Sequence, residues 1–276
     1  MNRPERMRAE QLDARDILLQ ELTDGVLTLR LNNPQRRNAL SEAMMATLQE
    51  ALDEAANNSE ARVIVIAANG PAFCAGHDLK ELTDGRGAPD EGRAYFTMLM
   101  QKCATLMQTI VNHPRPVIAD IRGIATAAGC QLVASCDLAI AQEDARFATP
   151  GVNIGLFCST PMVALSRKVG QSHAMEMLLT GEFITAQKAL RIGLINRVCA
   201  AADMDRAVGE LARRVASKSL MTLKTGKQAF YRQADMPLAE AYAYTADVMI
   251  DNMLKHDAKE GVAAFIEKRH PRWRDE

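Results

Sequence analysis

Two stretches of small residues carry the groups best placed to do chemistry. FCAGHDL at 73–79 follows an apolar run at 63–67, and GIATAAGC at 123–130 follows an apolar run at 117–121 and leads into helical composition over 130–136. The first N–H groups of a helix have no partner inside it, and the helix dipole makes that end favour negative charge. Alanine and glycine leave the backbone open to close approach by a ligand oxygen. Taken alone, GIATAAGC is better explained by tight packing of a helix on a sheet. A second junction of the same kind shifts that balance, because two N–H groups converging on one oxygen make an oxyanion hole, where losing one donor costs about 3 kcal/mol in the transition state.

The side chains near these junctions offer fewer tools. Candidate bases are His77, which titrates near neutrality, Asp78, Asp120, Cys158 and Ser159. Asp78 also reads as an anchor for its loop or the following helix. Cys158-Ser159-Thr160 reads either as lining for an apolar pocket or as helix capping and packing. Arg36, Arg37, Lys80 and Lys268 are basic residues that could meet phosphate, or simply solvated surface charge.

The elements that must position these groups come from 276 residues that are 48% hydrophobic, enough to bury a large core. The formal net charge is −1, so no global basic field draws the chain to nucleic acid or a membrane surface. Six scattered cysteines without a CxxC pair fit reduced thiols better than a disulfide or zinc framework. No GxSxG, P-loop, HExxH or strand-linked GxGxxG motif is present. The arginine-bearing lead at 1–16 also holds four acids, which argues against a secretory signal and a mitochondrial presequence and for a cytoplasmic protein.

Along the chain, two strands at 17–22 and 26–31 flank the turn Asp24-Gly25. Ser41 caps a helix reaching about residue 57, and a buried strand follows at 63–67. Loops are expected through 69–82, a flexible polar segment at 83–92, then a helix over 93–112, strands at 117–121, 138–141 and 146–148, and a turn at 149–151. Thr160 is expected to cap a helix running to 169 with Pro161 at its first position. Helices follow at 172–179 and 185–192. From about 203 the chain reads as helix broken at Gly226 and Pro237. The alternation implies an α/β architecture with a helical C-terminal layer.

The chain resembles the enoyl-CoA hydratase/isomerase (crotonase) superfamily. The residues that carry the resemblance are LNNPQRRNAL at 31–40, AFCAGHDLKEL at 72–82, PVIADIRGIATAAGCQLVASCDLAIA at 116–141, ARFATPGVNIGL at 145–156, TGEFITAQKALRIGLINRV at 180–198 and EGVAAFIEKR at 260–269. The resemblance implies a spiral of repeated ββα units over 1–200 that holds an acyl-CoA site. It also implies a helical region at 201–276 for trimerisation, as a homo-trimer or a dimer of trimers. The N–H groups of His77 and Ala128 would form the oxyanion hole for the thioester carbonyl. Arg36, Arg37, Ala39, Ala72, Ala75, Asp78, Leu79 and Lys80 would line the coenzyme A path, and Phe265 and Lys268 would meet the adenosine end. Coenzyme A would arrive as part of the substrate, with no separate cofactor.

Two positions depart from the family pattern. The family's hydratases use two glutamates, which fall here at Gln131 and Gly151, and neither residue can transfer a proton. A lyase of fatty acid metabolism is implied by the resemblance, with true hydratase activity weak or absent. A decarboxylase of malonyl-type thioesters and a non-catalytic acyl-CoA-binding protein are the alternatives.

Overall fold

The structure, a computed structural model, describes residues 17–276; the polar lead at 1–16 lies outside the described residues. It opens with a hairpin of β1 (Leu18–Thr23) and β2 (Val26–Leu31). Asp24 and Gly25 both have positive φ, 51° and 78°, the turn geometry that matches the twist of two antiparallel strands. Ser41 then caps α1 (Glu42–Asn57) by accepting from the Met44 N–H. Met44, Met45, Leu48, Leu52 and Ala55 recur at helical spacing and are buried.

A repeating unit follows: a buried strand, a short strand, then helix. It runs β3 (Val63–Ala68), β4 (Ala72–Cys74), α2 (Leu79–Gly85) and α3 (Arg93–Asn112), and repeats as β5 (Val117–Ile121), β6 (Ile124–Thr126) and α4 (Ala128–Ser135). The third copy is β7 (Leu138–Gln142), β8 (Arg146–Ala148) and α5 (Ser159–Lys168). In the first turn Leu40 stands in for the short strand, bridging His77 in parallel before α1. After α6 (Gln171–Thr180) come β9 (Ile184–Thr185), α7 (Ala186–Arg191) and β10 (Arg197–Cys199). The first strands form a six-stranded sheet, β1-β2-β3-β5-β7-β10, parallel except for the opening hairpin. The short strands form a second sheet, β4-β6-β8-β9. This is the spiral of ββα units that the resemblance implies.

The C-terminal helices are α8 (Met204–Ala216), α9 (Leu220–Gln233), α10 (Leu238–Leu254) and α11 (His256–Ile266). One core fills the space between the two sheets and the spiral's helices, and a second lies on the far face of the large sheet. In the second core, Val63, Val65, Ile118 and Ile140 meet Met204, Val208, Leu211 and Ala212 of α8. Ile64 and Ile66 face the first core, so β3 is apolar at every position because both of its faces are covered.

Several local expectations are corrected. Residues 72–74, expected as loop, and 124–126, within the second small-residue stretch, are paired strands, too short to show a period of two. α2 extends to Gly85, where the missing side chain makes room for the Tyr95 ring. Cys158, not Thr160, precedes α5, and Pro161 sits within its first turn. Gly226 does not break α9, because it lies in open space and a helical glycine costs only about 1 kcal/mol. Pro237 does separate α9 from α10.

Candidate active site

The first junction is held by Asn38. Arg37 and Asn38 have φ of 52° and 50°, a left-handed pair that asparagine tolerates. The fully buried Asn38 donates from Nδ2 to the carbonyls of Asn69 (2.8 Å) and Ala72 (2.7 Å) and accepts from the Asn33 N–H (2.7 Å). The Ala75 N–H donates to the Arg37 carbonyl (3.1 Å), and the Leu40 N–H to the Gly76 carbonyl (2.8 Å). The loop at 31–40 is thereby fastened to the strand that delivers His77. Sequence reasoning passed over Asn38; its signal was an asparagine between turn residues and an apolar helix start.

The two junctions touch. Gly76 has φ 93°, and a side-chain carbon there would meet the Ala127 Cβ at 3.0 Å, the Thr126 carbonyl at 3.2 Å and the Ala128 nitrogen at 3.4 Å. Thr126 Oγ1 donates across the seam to the Ala75 carbonyl (3.1 Å). Ala127 is held at φ 50° and ψ −119°, costly for alanine, while its N–H donates to the Ala148 carbonyl (3.0 Å). That turn starts α4 directly at Ala128, whose first-turn N–H has no acceptor within the helix. A side-chain carbon at Gly129 would lie 2.0 Å from the Cys74 carbonyl oxygen, so only glycine lets α4 seat this closely on β4.

The side chains around this seam are poor in proton carriers. The His77 ring sits with Nδ1 3.3 Å from the Leu40 carbonyl, and its buried Nε2 has no partner among the described residues. Burial holds this imidazole below its ordinary pKa, a shift the Leu40 carbonyl only partly offsets, so the ring is neutral near pH 7. Asp120 is spent on Arg122 (3.0 and 3.1 Å), which also reaches Asp205 of α8. Ser159 Oγ donates to the Phe157 carbonyl (3.3 Å).

Gln131 lies one turn along α4 from Ala128 and is 5% exposed. Its Oε1 accepts from the Cys103 thiol of α3 at 3.9 Å. At the other family position, a side-chain carbon on Gly151 would lie 2.3 Å from the Leu156 carbonyl oxygen and 2.9 Å from Cys158 Sγ. The slot is filled by backbone and thiol. Burial raises the Cys158 pKa, partly offset by the Gly151 backbone, so the group there is a neutral thiol. Burial likewise pushes Cys74 and Cys130 up to about 12 and Cys103 to about 11.

Of the residues expected to meet coenzyme A, most lie along one rim. Asp78 caps α2 by accepting from the Lys80 N–H (2.9 Å) and pairs with Arg36 at 2.6 Å. Burial raises its pKa, but the Arg36 guanidinium and the α2 N–H groups outweigh that and leave the carboxyl below its usual range. Arg37, Leu79 and Lys80 are exposed beside it, Ala39 and Ala72 are buried, and Ala75 is half-buried. Phe265 and Lys268 stand apart: Phe265 is 85% exposed at the end of α11, which packs on α9 and α10, and Lys268 follows it on the surface. Among the described residues, no hydrogen bond or ion pair ties this pair to the rim.

A spiral of ββα units whose successive strand-to-helix junctions touch is the arrangement of the crotonase fold. The chain belongs to the enoyl-CoA hydratase/isomerase family, whose model matches residues 21–276. It is 49% identical over 250 residues to the mitochondrial enoyl-CoA hydratase domain-containing protein 3 of Rattus norvegicus, covering 91% of this chain and 82% of that protein. It is 33% identical over 247 residues to 2,3-dehydroadipyl-CoA hydratase of Escherichia coli K12, covering 89% and 94%. Among solved structures, an enoyl-CoA hydratase of Mycobacterium smegmatis superposes with a TM-score of 0.89 at 50% identity, covering 93% of this chain and 98% of that one. Human enoyl coenzyme A hydratase domain-containing protein 3 superposes with a TM-score of 0.89 at 46% identity, covering 93% and 100%. These relatives correct one expectation. The cytoplasmic placement read from the acidic lead is overturned by relatives 48–49% identical that are named mitochondrial.

Proposed function

We propose that this family member polarises an acyl-CoA thioester carbonyl between the N–H groups of His77 and Ala128, stabilises the enolate formed there, and hydrates enoyl thioesters slowly or not at all. The observation that carries this reading is the contact between the junctions, with the Ala128 nitrogen 3.4 Å from where a Gly76 side chain would begin. Hydration needs one group to activate water and another to protonate the α-carbon. Gln131 has no useful basicity, and the Gly151 slot is occupied by the Leu156 carbonyl and the Cys158 thiol. Crotonyl-CoA turnover tests the reading: a trace rate with measurable binding supports it, and a rate matching a good hydratase would overturn it.

The lack of carboxylates at 131 and 151 also favours a second reaction, decarboxylation of a malonyl-type thioester. There the bond between the α-carbon and the carboxylate breaks, CO2 leaves, and the electron pair passes into the thioester enolate held by the two N–H groups. Water then supplies the α-proton, so no basic side chain is required. Release of CO2 from methylmalonyl-CoA supports this reaction, and none from malonyl-, methylmalonyl- or ethylmalonyl-CoA removes it. Binding without turnover across a broad acyl-CoA screen would favour the non-catalytic alternative. The outward-facing Leu238, Tyr242, Met249 and Met253 of α10 and Phe265 of α11 support the homo-trimer or dimer of trimers, in which a neighbouring rim could receive Phe265 and Lys268.

A further inference from the structure

We infer that Asp137 is a positioning residue for the oxyanion hole, held by Lys227 and Tyr231 of α9 so that the C-terminal helical layer sets the seat of α4. This rests on the carbonyl-polarising reading above and extends it to residues at the opposite end of that helix. α4 is 8 residues long and buried at every position, so it is only about 12 Å from end to end. Its start carries the Ala128 N–H, and Asp137 follows two residues after its last position, Ser135. A helix this short shifts as one body, so what anchors its end bears on its start.

The anchor is made of directional bonds. The Asp137 N–H donates to the Val117 carbonyl (2.9 Å) and its Oδ2 accepts from the Val117 N–H (2.7 Å), which ties it to the start of β5. Oδ2 also accepts from Lys227 Nζ at 2.7 Å, and Oδ1 accepts from the Tyr231 hydroxyl at 2.9 Å. Lys227 spends its other two donors on the Ile110 and Arg115 carbonyls (2.9 and 3.2 Å), so α9 grips the end of α3 as well. Lys168 of α5 donates to the Cys136 and Asp137 carbonyls (2.6 and 3.2 Å). The Lys227 side chain is 7% exposed; burial lowers its pKa, and the Asp137 carboxylate opposes that shift. Burial and the same carboxylate raise the Tyr231 pKa, so its phenol is neutral and donates. A buried ion pair adds little net stability over well-packed apolar residues, but its geometry fixes where its members sit. The oxyanion hole needs such fixing, because displacing a catalytic group by about 1 Å can cost roughly a hundredfold in rate. α9 packs on α10 and α11, so the whole layer bears on Asp137.

The test reads the infrared carbonyl band of bound crotonyl-CoA, labelled with carbon-13 at the thioester carbon, beside the affinity for free coenzyme A, both on the full chain. Free coenzyme A has no thioester carbonyl, so it reports on the rim alone. In Lys227→Met the band shift of the wild type should fall by roughly half or more, while coenzyme A affinity stays within about twofold. Tyr231→Phe, which removes one oxygen and no charge, should lose part of the shift and keeps the test decisive if Lys227→Met fails to fold. Leu211→Ala in α8 loosens the second core, of which Asp137 is no part, and should lower the melting temperature while leaving the band in place. A full wild-type shift in Tyr231→Phe and in any folded Lys227→Met would overturn the inference while leaving the oxyanion reading standing. So would an equal loss of shift in Leu211→Ala, or a loss of coenzyme A affinity in step with the band. An unshifted band in the wild type would overturn both.

Discussion

At position 151 the missing atom matters as much as the missing charge. A Cβ there would lie 2.3 Å from the Leu156 carbonyl oxygen, a contact that side chains do not make, so the turn at 155–158 would have to move. Gly151→Ala is expected to lower stability by about 1–3 kcal/mol, the usual cost of overpacking. Urea denaturation should show a lower midpoint, and an unchanged one would mean the turn yields freely. A glutamate at 151 fares no better, so Gln131→Glu combined with Gly151→Glu does not restore a hydratase by simple addition. The sequence made the two substitutions visible at once through the motifs around them. It could not show that the second slot is filled, because the Leu156 carbonyl reaches it only through the geometry of the turn. Likewise, nothing in the residue types revealed that Cys103 meets Gln131, since the two lie on separate helices.

Between the elements, the site depends on latches that join the loop at 31–40 to the first junction. The buried Asn38 makes two hydrogen bonds to that junction and one within its own loop, so Asn38→Ala should cost about 2–3 kcal/mol by leaving the Asn33 N–H and two carbonyls short of partners. Thermal unfolding would reveal it, and a change within a few tenths of a kcal/mol would contradict the latch. Asp78 gives the rim a pH dependence. Its carboxyl titrates below its unfolded value, so the Arg36 pair stabilises the fold fully above about pH 4 and the contribution fades as pH falls through the lower folded value. Asp78→Asn keeps the cap but removes the charge, and should cost about 0.5–1 kcal/mol at pH 7 and almost nothing in strong acid. A cost independent of pH would show that the pair is idle. Long elements such as α1 and α3 were legible from their apolar spacing, and β3 from its unbroken apolar run. The strands at 72–74 and 124–126 were not, because three residues carry no period and their pairing is set by neighbours distant in sequence.

Across the whole molecule, the spiral carries the proposed electrophilic site and the C-terminal helices supply a surface. α8 closes the outer face of the large sheet, whereas α10 and α11 leave Leu238, Tyr242, Met249, Met253 and Phe265 facing outward. Light scattering should return a mass three or six times that of one chain, and Met253→Asp should lower it; a wild-type monomer would contradict the trimer. The fold class was legible because its motifs run through nearly the entire chain in order, and the expected compartment failed because it leaned on a short lead rather than on the fold. The central claim is that the carbonyl-polarising half of the machinery is present and the proton-transfer half is absent. The most direct measurement is the infrared carbonyl band of crotonyl-CoA, labelled with carbon-13 at the thioester carbon, when bound to the protein. The account predicts a band shifted to lower frequency on a ligand that persists unhydrated. An unshifted band, or rapid conversion to 3-hydroxybutyryl-CoA, would contradict it.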